Sequence, residues 1–155
     1  MHPGIHAKSN PDKAAYIMAA TGKVVTYREL DDESNRAANL FRSLGLKQGD
    51  TIALFAENHS RYHQVLWAAQ RSGLYYTAIS SRLTAEEAAY IVNDSGAKVF
   101  ITTHALVDVA GQMDAAELIP RTVKRYMMDG TIANYESWED AVGSQPTSPD
   151  RKSVV

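Results

Sequence analysis

The 155-residue sequence has no cysteine, which excludes disulfides, thiolate metal sites and cysteine nucleophiles. It also has no apolar run near the ~20 residues that a membrane-spanning helix needs, and its N-terminus lacks the apolar core of a signal peptide. The default location that these absences favour is the cytoplasm. The formal net charge is only -2, so there is no electrostatic argument for binding nucleic acid or an anionic membrane.

Glycine-rich phosphate loops are missing as well. None of the nine glycines lies in the pattern G-x-G-x-x-G or G-x-x-x-x-G-K-[ST], the two standard nucleotide-binding fingerprints. A self-sufficient nucleotide-binding α/β domain usually has a glycine-rich turn after an early strand. The turns after two early predicted strands, residues 56–59 and 80–83, contain no glycine. The sequence therefore offers no visible phosphate site.

Short apolar runs alternate with longer amphipathic stretches along the chain. Residues 14–20 and 23–25 predict the two strands of an N-terminal β-hairpin. The other predicted strands are residues 51–55, 74–79, 98–102 and 122–127, and the predicted helices are residues 26–44, 58–73, 84–95, 104–118 and 135–141. This alternation with short connections predicts an α/β fold, with a mostly parallel sheet flanked by helices.

Local signals mark where the predicted helices begin and end. The predicted N-terminal signals are two capping boxes, Thr26 with Glu29 and Thr84 with Glu87, and either Asn58 or Ser60 as a single cap. Gly45 and Gly73 are the expected left-handed terminators. In the first of these helices, Leu30, Ala37 and Phe41 recur at helical spacing, which predicts that they face the core.

Several histidine and acidic residues are candidate metal ligands or acid–base groups. His59 and His63 are four residues apart on a predicted helix, but a zinc site needs a third ligand that no pattern supplies. We interpret both as polar side chains that face solvent in the first turn. The acidic residues 31–33 and 86–87 also lie in first turns, where the helix dipole favours negative charge.

The remaining candidates also have structural interpretations. Trp67, Tyr75 and Tyr76 could line a pocket, but aromatic side chains on strands and apolar helix faces are usually core. The serines at 80–81 lack the G-x-S-x-G elbow of a nucleophile, and the basic pair at 124–125 fits a solvated strand edge. From the residues alone we assign no catalytic, cofactor-binding or metal-binding residue.

The order of the segments resembles a known enzyme family. Residues 26–30 are TYREL, residues 44–54 are LGLKQGDTIAL and residues 57–59 are ENH, and residues 67–79 and 81–101 complete an ordered set at the family's spacings. This set resembles the opening of the acyl-adenylate-forming superfamily, the AMP-dependent synthetases and ligases. Within that superfamily it is most similar to the bacterial fatty-acyl-CoA ligases.

The resemblance implies an enzyme that uses ATP and magnesium to turn a carboxylic acid into an acyl-adenylate, and then transfers the acyl group to coenzyme A. A fatty acid is the favoured substrate, although the family shapes its acyl pocket largely with residues beyond this segment. The family's phosphate loop, rich in Ser, Thr and Gly and ending in Pro-Lys-Gly, follows the segment, and its catalytic lysine lies in a C-terminal domain. Residues 149–155 are not that loop, since they lack glycine and the threonine pair. We therefore expect this chain to bind no cofactor and to be inactive alone.

The resemblance also implies a domain organisation. Residues 1–142 are expected to be a partial N-terminal domain, an incomplete portion of the family's large domain, which contains two sheets. Residues 143–155 are rich in Gly, Ser and Pro and predict a linker or a disordered tail. In an incomplete domain the apolar strands at residues 51–55 and 98–102 would leave an edge or face uncovered, which predicts self-association.

Two alternatives stay open at this point. One is a non-catalytic binding or protein-interaction module on the same scaffold, and the other is an unrelated α/β domain that binds a nucleotide. The gene sequence beyond Val155 separates the first alternative from a ligase segment, because only a ligase needs the phosphate loop there.

Overall fold

A computed structural model describes residues 2–149. In chain order the elements are α1 (Pro3–Ser9), β1 (Ala14–Ile17), β2 (Val24–Thr26), α2 (Tyr27–Ser43), β3 (Thr51–Phe55), α3 (Tyr62–Arg71), β4 (Tyr75–Ile79), α4 (Ala85–Asp94), β5 (Val99–Thr103), a 3-10 turn (His104–Leu106), α5 (Val107–Ala115), β6 (Lys124–Met128), β7 (Glu136–Ser137) and α6 (Trp138–Gly143). Strands β3 to β7 form a parallel sheet in the order β4-β3-β5-β6-β7, while β1 and β2 form an antiparallel hairpin. The predicted α/β class and hairpin are confirmed, whereas α1 and β7 were not predicted.

Helix α2 begins and ends where its local signals predict. Its capping box is complete, because the Thr26 hydroxyl accepts from the Glu29 amide at 3.2 Å and the Glu29 carboxylate accepts from the Thr26 amide at 2.8 Å. Gly45, at φ 80°, follows the last turn in the left-handed conformation. Phe41 is fully buried on the face that packs against the sheet.

Strands β3 and β5 lie in the middle of the sheet and are covered on both faces. Ile52 and Leu54 of β3 pack with α2, α3 and α6, whereas Ala53 and Phe55 pack with α4 and α5. A strand buried on both faces needs apolar residues at every position, which explains its continuous apolar run. The expectation that residues 51–55 and 98–102 would be exposed is therefore wrong for these two strands.

The free edge of the sheet near α3 belongs to β4 instead. Tyr75 and Tyr76 are 68% and 38% exposed there, so the prediction that they belong to the core is wrong. An edge strand has no neighbour to cover its outer side, and the sequence run alone does not reveal which strand is at the edge. Self-association of the isolated chain stays a prediction, with β4 as the strand available for it.

Three predicted helix boundaries differ from the structure. Neither Asn58 nor Ser60 caps α3, whose N-cap residue is Arg61 and makes no side-chain capping hydrogen bond. The helix predicted for residues 104–118 begins as a 3-10 turn and α5 ends at Ala115, close to Glu117, which has a left-handed φ of 51°. The helix predicted for residues 135–141 is preceded by the short strand β7, and Ser137 caps α6.

The described part of the predicted tail contacts α2. Gly143 is the last residue of α6, and Arg36 donates to the carbonyls of Gly143 and Gln145 at 3.1 and 2.6 Å. Asn39 donates to the carbonyls of Pro146 and Ser148 at 2.9 and 3.0 Å. The predicted division at residues 142 and 143 stays a prediction, and residues 150–155 lie outside the described residues. Every helix within residues 2–149 is too short or too polar to cross a bilayer.

Candidate functional site

The strand order identifies one place where a ligand would be expected. From β3 the chain crosses to β4 on one side, and from β4 it returns to the other side of β3 to form β5, β6 and β7. In open α/β sheets ligands bind at the carboxyl ends of the strands where the order reverses in this way. The loops that follow β3, β5 and β6 meet at this carboxyl edge.

The loops after β3 and β5 are joined by a short hydrogen bond. The Thr103 hydroxyl, at the end of β5, donates to Glu57 Oε2 at 2.5 Å. Thr103 is buried, while the Glu57 carboxylate is half-buried in the loop after β3. This contact lies directly at the point of strand reversal, so the crevice itself contains a carboxylate.

The loops after β3 and β6 are joined by an ionic cluster. His59 Nε2 donates to Asp129 Oδ2 at 2.7 Å, because His59 Nδ1 already accepts from the Arg61 amide at 3.1 Å and Nε2 must carry the proton. Arg61 Nη1 lies 2.9 Å from Asp129 Oδ1 and 3.1 Å from Glu139 Oε1. Glu139 in turn accepts from the Asp129 amide at 3.0 Å.

Charge and hydrogen bonding stabilise the ionised form of Asp129. The hydrogen bond from His59 is the main reason that the pKa of the Asp129 carboxyl is lowered, and burial acts in the opposite direction. The hydrogen bond and the positive charge of Arg61 lower the pKa further. Asp129 itself has a left-handed backbone, with φ 61°, which aspartate tolerates better than most residues.

Residue 130 brings the loop after β6 against the residue that follows β5. A Cβ atom on Gly130 would lie 2.5 Å from Cδ2 of His104, so any other residue at this position would require the His104 side chain to shift. Together with the two hydrogen-bonded contacts, this packing fixes the three loops relative to one another.

The cluster holds the carboxyl edge together and does not fit phosphate chemistry. Both ring nitrogens of His59 are engaged, so it is not poised as a general base. The carboxylates of Glu57 and Asp129 would repel a polyphosphate, and the loops have no glycine-rich nest of amides. Within residues 2–149, no three His, Cys, Asp or Glu side chains come together in a way that could hold a metal ion.

The two candidate metal-binding histidines have different environments. His63 lies on α3 and is exposed, whereas His59 precedes α3 and its side chain is only 9% exposed. The interpretation of both as solvent-facing is therefore wrong for His59. Its partner Asp129 is 70 residues further along the chain, and no local sequence signal indicates that pairing.

Two arginines are buried although no local sequence pattern predicts their burial. Arg71, at the end of α3, is 4% exposed, contacts the Asn35 side-chain oxygen and pairs with Asp31 at 2.8 Å. Asp31 therefore joins α2 to α3, besides lying in the first turns of α2. Arg125 is buried and donates to the Ile119 carbonyl at 3.1 Å, so the prediction of a solvated pair at residues 124–125 holds only for Lys124.

The other candidates are spread over the fold. Trp67 is half-buried on α3, and the Ser80 hydroxyl accepts from the Arg82 amide at 3.4 Å in the turn after β4. The acidic pair at residues 86–87 lies in the first turn of α4, where Glu87 completes the predicted capping box. The structure therefore does not gather these residues into one site.

Comparisons with known proteins agree on one family. The profile of the family described as AMP-binding enzyme matches residues 5–154. The chain is 29% identical over 140 residues to the long-chain-fatty-acid–CoA ligase FadD13 of Mycobacterium tuberculosis, covering 90% of this chain and 27% of that protein. It is 31% identical over 118 residues to the fatty acid–[acyl-carrier-protein] ligase ScoC of Streptomyces coeruleorubidus, covering 76% of this chain and 22% of that protein. The chain thus spans about a quarter of the length of these curated relatives.

A solved structure shows the same fold. The crystal structure of the N-terminal domain of FACL13 from Mycobacterium tuberculosis superposes with a TM-score of 0.83 at 26% sequence identity, covering 96% of this chain and 36% of that chain. The parallel sheet with its hairpin is therefore a fold that recurs inside a longer polypeptide.

Proposed function

Because this chain belongs to the AMP-binding enzyme family, we propose that it is the N-terminal part of an AMP-forming acyl-CoA ligase. The complete enzyme would convert a carboxylic acid, ATP and CoA into acyl-CoA, AMP and pyrophosphate. The observation that carries the proposal is the family match over residues 5–154, together with a relative aligned over 90% of the chain.

A fatty acid is the proposed substrate of the complete enzyme. The support is that the names of FadD13 and ScoC describe both as fatty acid ligases. ATP, magnesium and CoA are the proposed cofactors of the complete enzyme. The carboxyl-edge residues of this chain do not fit ATP, since Glu57 and Asp129 carry the same sign of charge as the phosphates, and we assign none of residues 2–149 to a cofactor.

The proposed role of this segment is to supply scaffold. The residues that carry the family resemblance include capping residues and turn glycines, such as Thr26, Glu29, Gly45 and Gly73, and in the structure these define the ends of α2 and α3. None of them bears a group that could activate a carboxylate. Adenylation needs amides and a cation that neutralise the polyphosphate, so residues 1–155 are expected to be inactive alone.

Two measurements test this proposal. Purified residues 1–155 should show no ATP–pyrophosphate exchange with any fatty acid, and exchange above a no-acid control in a preparation free of other ligases would contradict it. The gene sequence beyond the codon for Val155 should encode a Ser-, Thr- and Gly-rich stretch that ends in Pro-Lys-Gly. A stop codon with no such stretch in any frame would instead favour the non-catalytic module on the same scaffold.

A further inference from the structure

A groove runs between the hairpin and α3, and at one end its lining includes Asn58 and His59 of the loop after β3. The rings of Tyr16 on β1 and His63 on α3 meet edge to face, with 5.1 Å between their centroids. A cleft of about 470 Å³ lies on one side of this ring pair and a cleft of about 260 Å³ on the other, and both rings line both clefts. The two clefts therefore adjoin at this ring pair, and together they are called the groove below. The larger cleft alone is within the ~300–1,000 Å³ range of small-molecule sites.

The walls of the groove are mainly apolar and aromatic. Ile17, Met18 and Tyr62 line the larger cleft, and Leu30 and Trp67 line the smaller one. An apolar chain that lies against these side chains removes their surface from water, which is favourable by about 25 cal/mol for each Å² of apolar area. The shape and lining suit a flexible hydrocarbon chain.

Of the two rings that meet between the clefts, only that of Tyr16 is restrained by a hydrogen bond. The Tyr16 hydroxyl donates to the Ser60 carbonyl at 2.5 Å, and burial raises the pKa of Tyr16 to about 12, so the hydroxyl stays a neutral donor. His63 is exposed and does not share this restraint. A ligand can therefore pass the pair by displacing the His63 ring alone.

The polar groups of the groove favour a negatively charged head. Among the described residues, neither cleft is lined by an aspartate or a glutamate, although three of the five histidines, His6, His59 and His63, contribute to the walls. Asn58, at the open end of the larger cleft, is exposed, and its carboxamide can donate two hydrogen bonds. A carboxylate there would meet these donors, and the neighbouring carboxylates of Glu57 and Asp129 do not line the clefts, because Thr103 engages Glu57 while His59 and Arg61 engage Asp129.

We propose that this groove binds an amphipathic monocarboxylate, with the carboxylate at Asn58 and the hydrocarbon chain reaching past Tyr16 and His63 to Trp67. The choice of a carboxylic acid rests on the proposed function of the complete enzyme. The site itself is formed by the N-terminal segment alone, so it can be tested without ATP, CoA or further chain.

Quenching of tryptophan fluorescence by dodecanoic acid brominated at its terminal carbon tests the proposal. The sequence has two tryptophans, and the other one, Trp138, is buried against Phe41 and Tyr126 away from the groove. With residues 1–155 and the acid below its micelle concentration, quenching should saturate. Trp67→Phe should remove the saturable part.

Matched variants locate the ligand. Ile17 and Val24 are cross-strand partners on the hairpin and both are exposed, but only Ile17 lines the groove. Ile17→Ser should weaken binding by about tenfold, as expected for about 1.4 kcal/mol of lost apolar contact, while Val24→Ser should change it less than about twofold. Asn58→Asp adds a negative charge at nearly constant size, so it should weaken binding of the acid at least about tenfold. Binding of dodecanol brominated at the same carbon, which has no carboxylate, should stay unchanged.

The proposal is overturned if no saturable quenching occurs, if quenching persists in Trp67→Phe, or if Val24→Ser weakens binding as much as Ile17→Ser. Equal effects of Asn58→Asp on the acid and the alcohol would overturn the placement of the carboxylate. None of these outcomes bears on the phosphate loop, so the proposal that the chain is a ligase segment is tested separately by the downstream gene sequence.

Discussion

Helices α2 and α3 pack against each other, but their first turns are held in different ways. The start of α2 is fixed by residues three positions apart, since Thr26 and Glu29 satisfy each other's backbone amides. The start of α3 has no side-chain cap and is fixed by Asp129, which binds His59 and Arg61 from a loop about seventy residues away. The cap of α2 involves neighbouring residues and can be predicted from the sequence. The contacts that hold the start of α3 form only once the sheet has formed.

The largest expected effect concerns the face that both helices share with the sheet. Phe41→Ala should lower the free energy of unfolding by about 3–5 kcal/mol, because it deletes a fully buried phenyl ring that packs against Trp138. Chemical denaturation followed by circular dichroism measures the shift. A loss below about 1 kcal/mol would show that α2 does not bury this face.

The capping box of α2 should contribute less to the free energy of unfolding than Phe41 does. Thr26→Ala should cost about 1 kcal/mol, since the Glu29 amide loses its acceptor. Ser60→Ala is the matched control just before α3, because Ser60 lies at a predicted cap position but does not cap the helix. Its cost should stay within about 0.5 kcal/mol. Similar denaturation midpoints for the two variants would contradict the conclusion that a local side-chain cap stabilises α2 but not α3.

The contacts of Asp129 with His59 and Arg61, which hold the start of α3, should make a smaller and pH-dependent contribution to the free energy of unfolding. Asp129→Asn should cost less than about 1 kcal/mol at neutral pH, because Asp129 is more than half exposed and solvent screens its charge. The lowered pKa of Asp129 means that its stabilisation is fully present above the unfolded value of about 3.9 and is lost as the pH falls through the folded value. The difference between wild type and variant should therefore vanish in acid.

Hydrogen exchange distinguishes these contacts from the capping box of α2. Asp129→Asn should speed exchange of amides in the first turn of α3 and leave the first turn of α2 unchanged. Faster exchange in α2 alone would show that the cluster of His59, Arg61 and Asp129 does not anchor α3.

The smallest expected effect is at the exposed surface of α3. His63→Ala should change the free energy of unfolding by no more than about 0.5 kcal/mol, since the side chain is exposed. The same denaturation measurement applies. A change as large as that of Phe41→Ala would show that the Tyr16–His63 contact supports the fold and does not merely lie between the two clefts.

The parts of the fold that could be predicted are those set by neighbours in the chain. The capping boxes at Thr26 and Thr84, the terminators Gly45 and Gly73 and the continuous apolar run of β3 each predicted what the structure shows. Their signals are side-chain groups within a few residues of the backbone groups that they satisfy. The family resemblance rests on the same kind of position, and for that reason it identifies a scaffold and assigns no catalytic residue.

The tertiary structure alone decided which strand lies at the edge and which polar residues meet. The two tyrosines of β4 have the sequence of a core strand, yet they are exposed because the strand order puts β4 last. Arg71 has the sequence of a polar helix end, yet it is buried because α2 brings Asp31 to it. His59 and Asp129 meet because β3 and β6 are two strands apart in the same sheet, with their carboxyl ends at one edge. A local pattern determines what a segment can become, but the environment of each side chain depends on partners that only folding brings together.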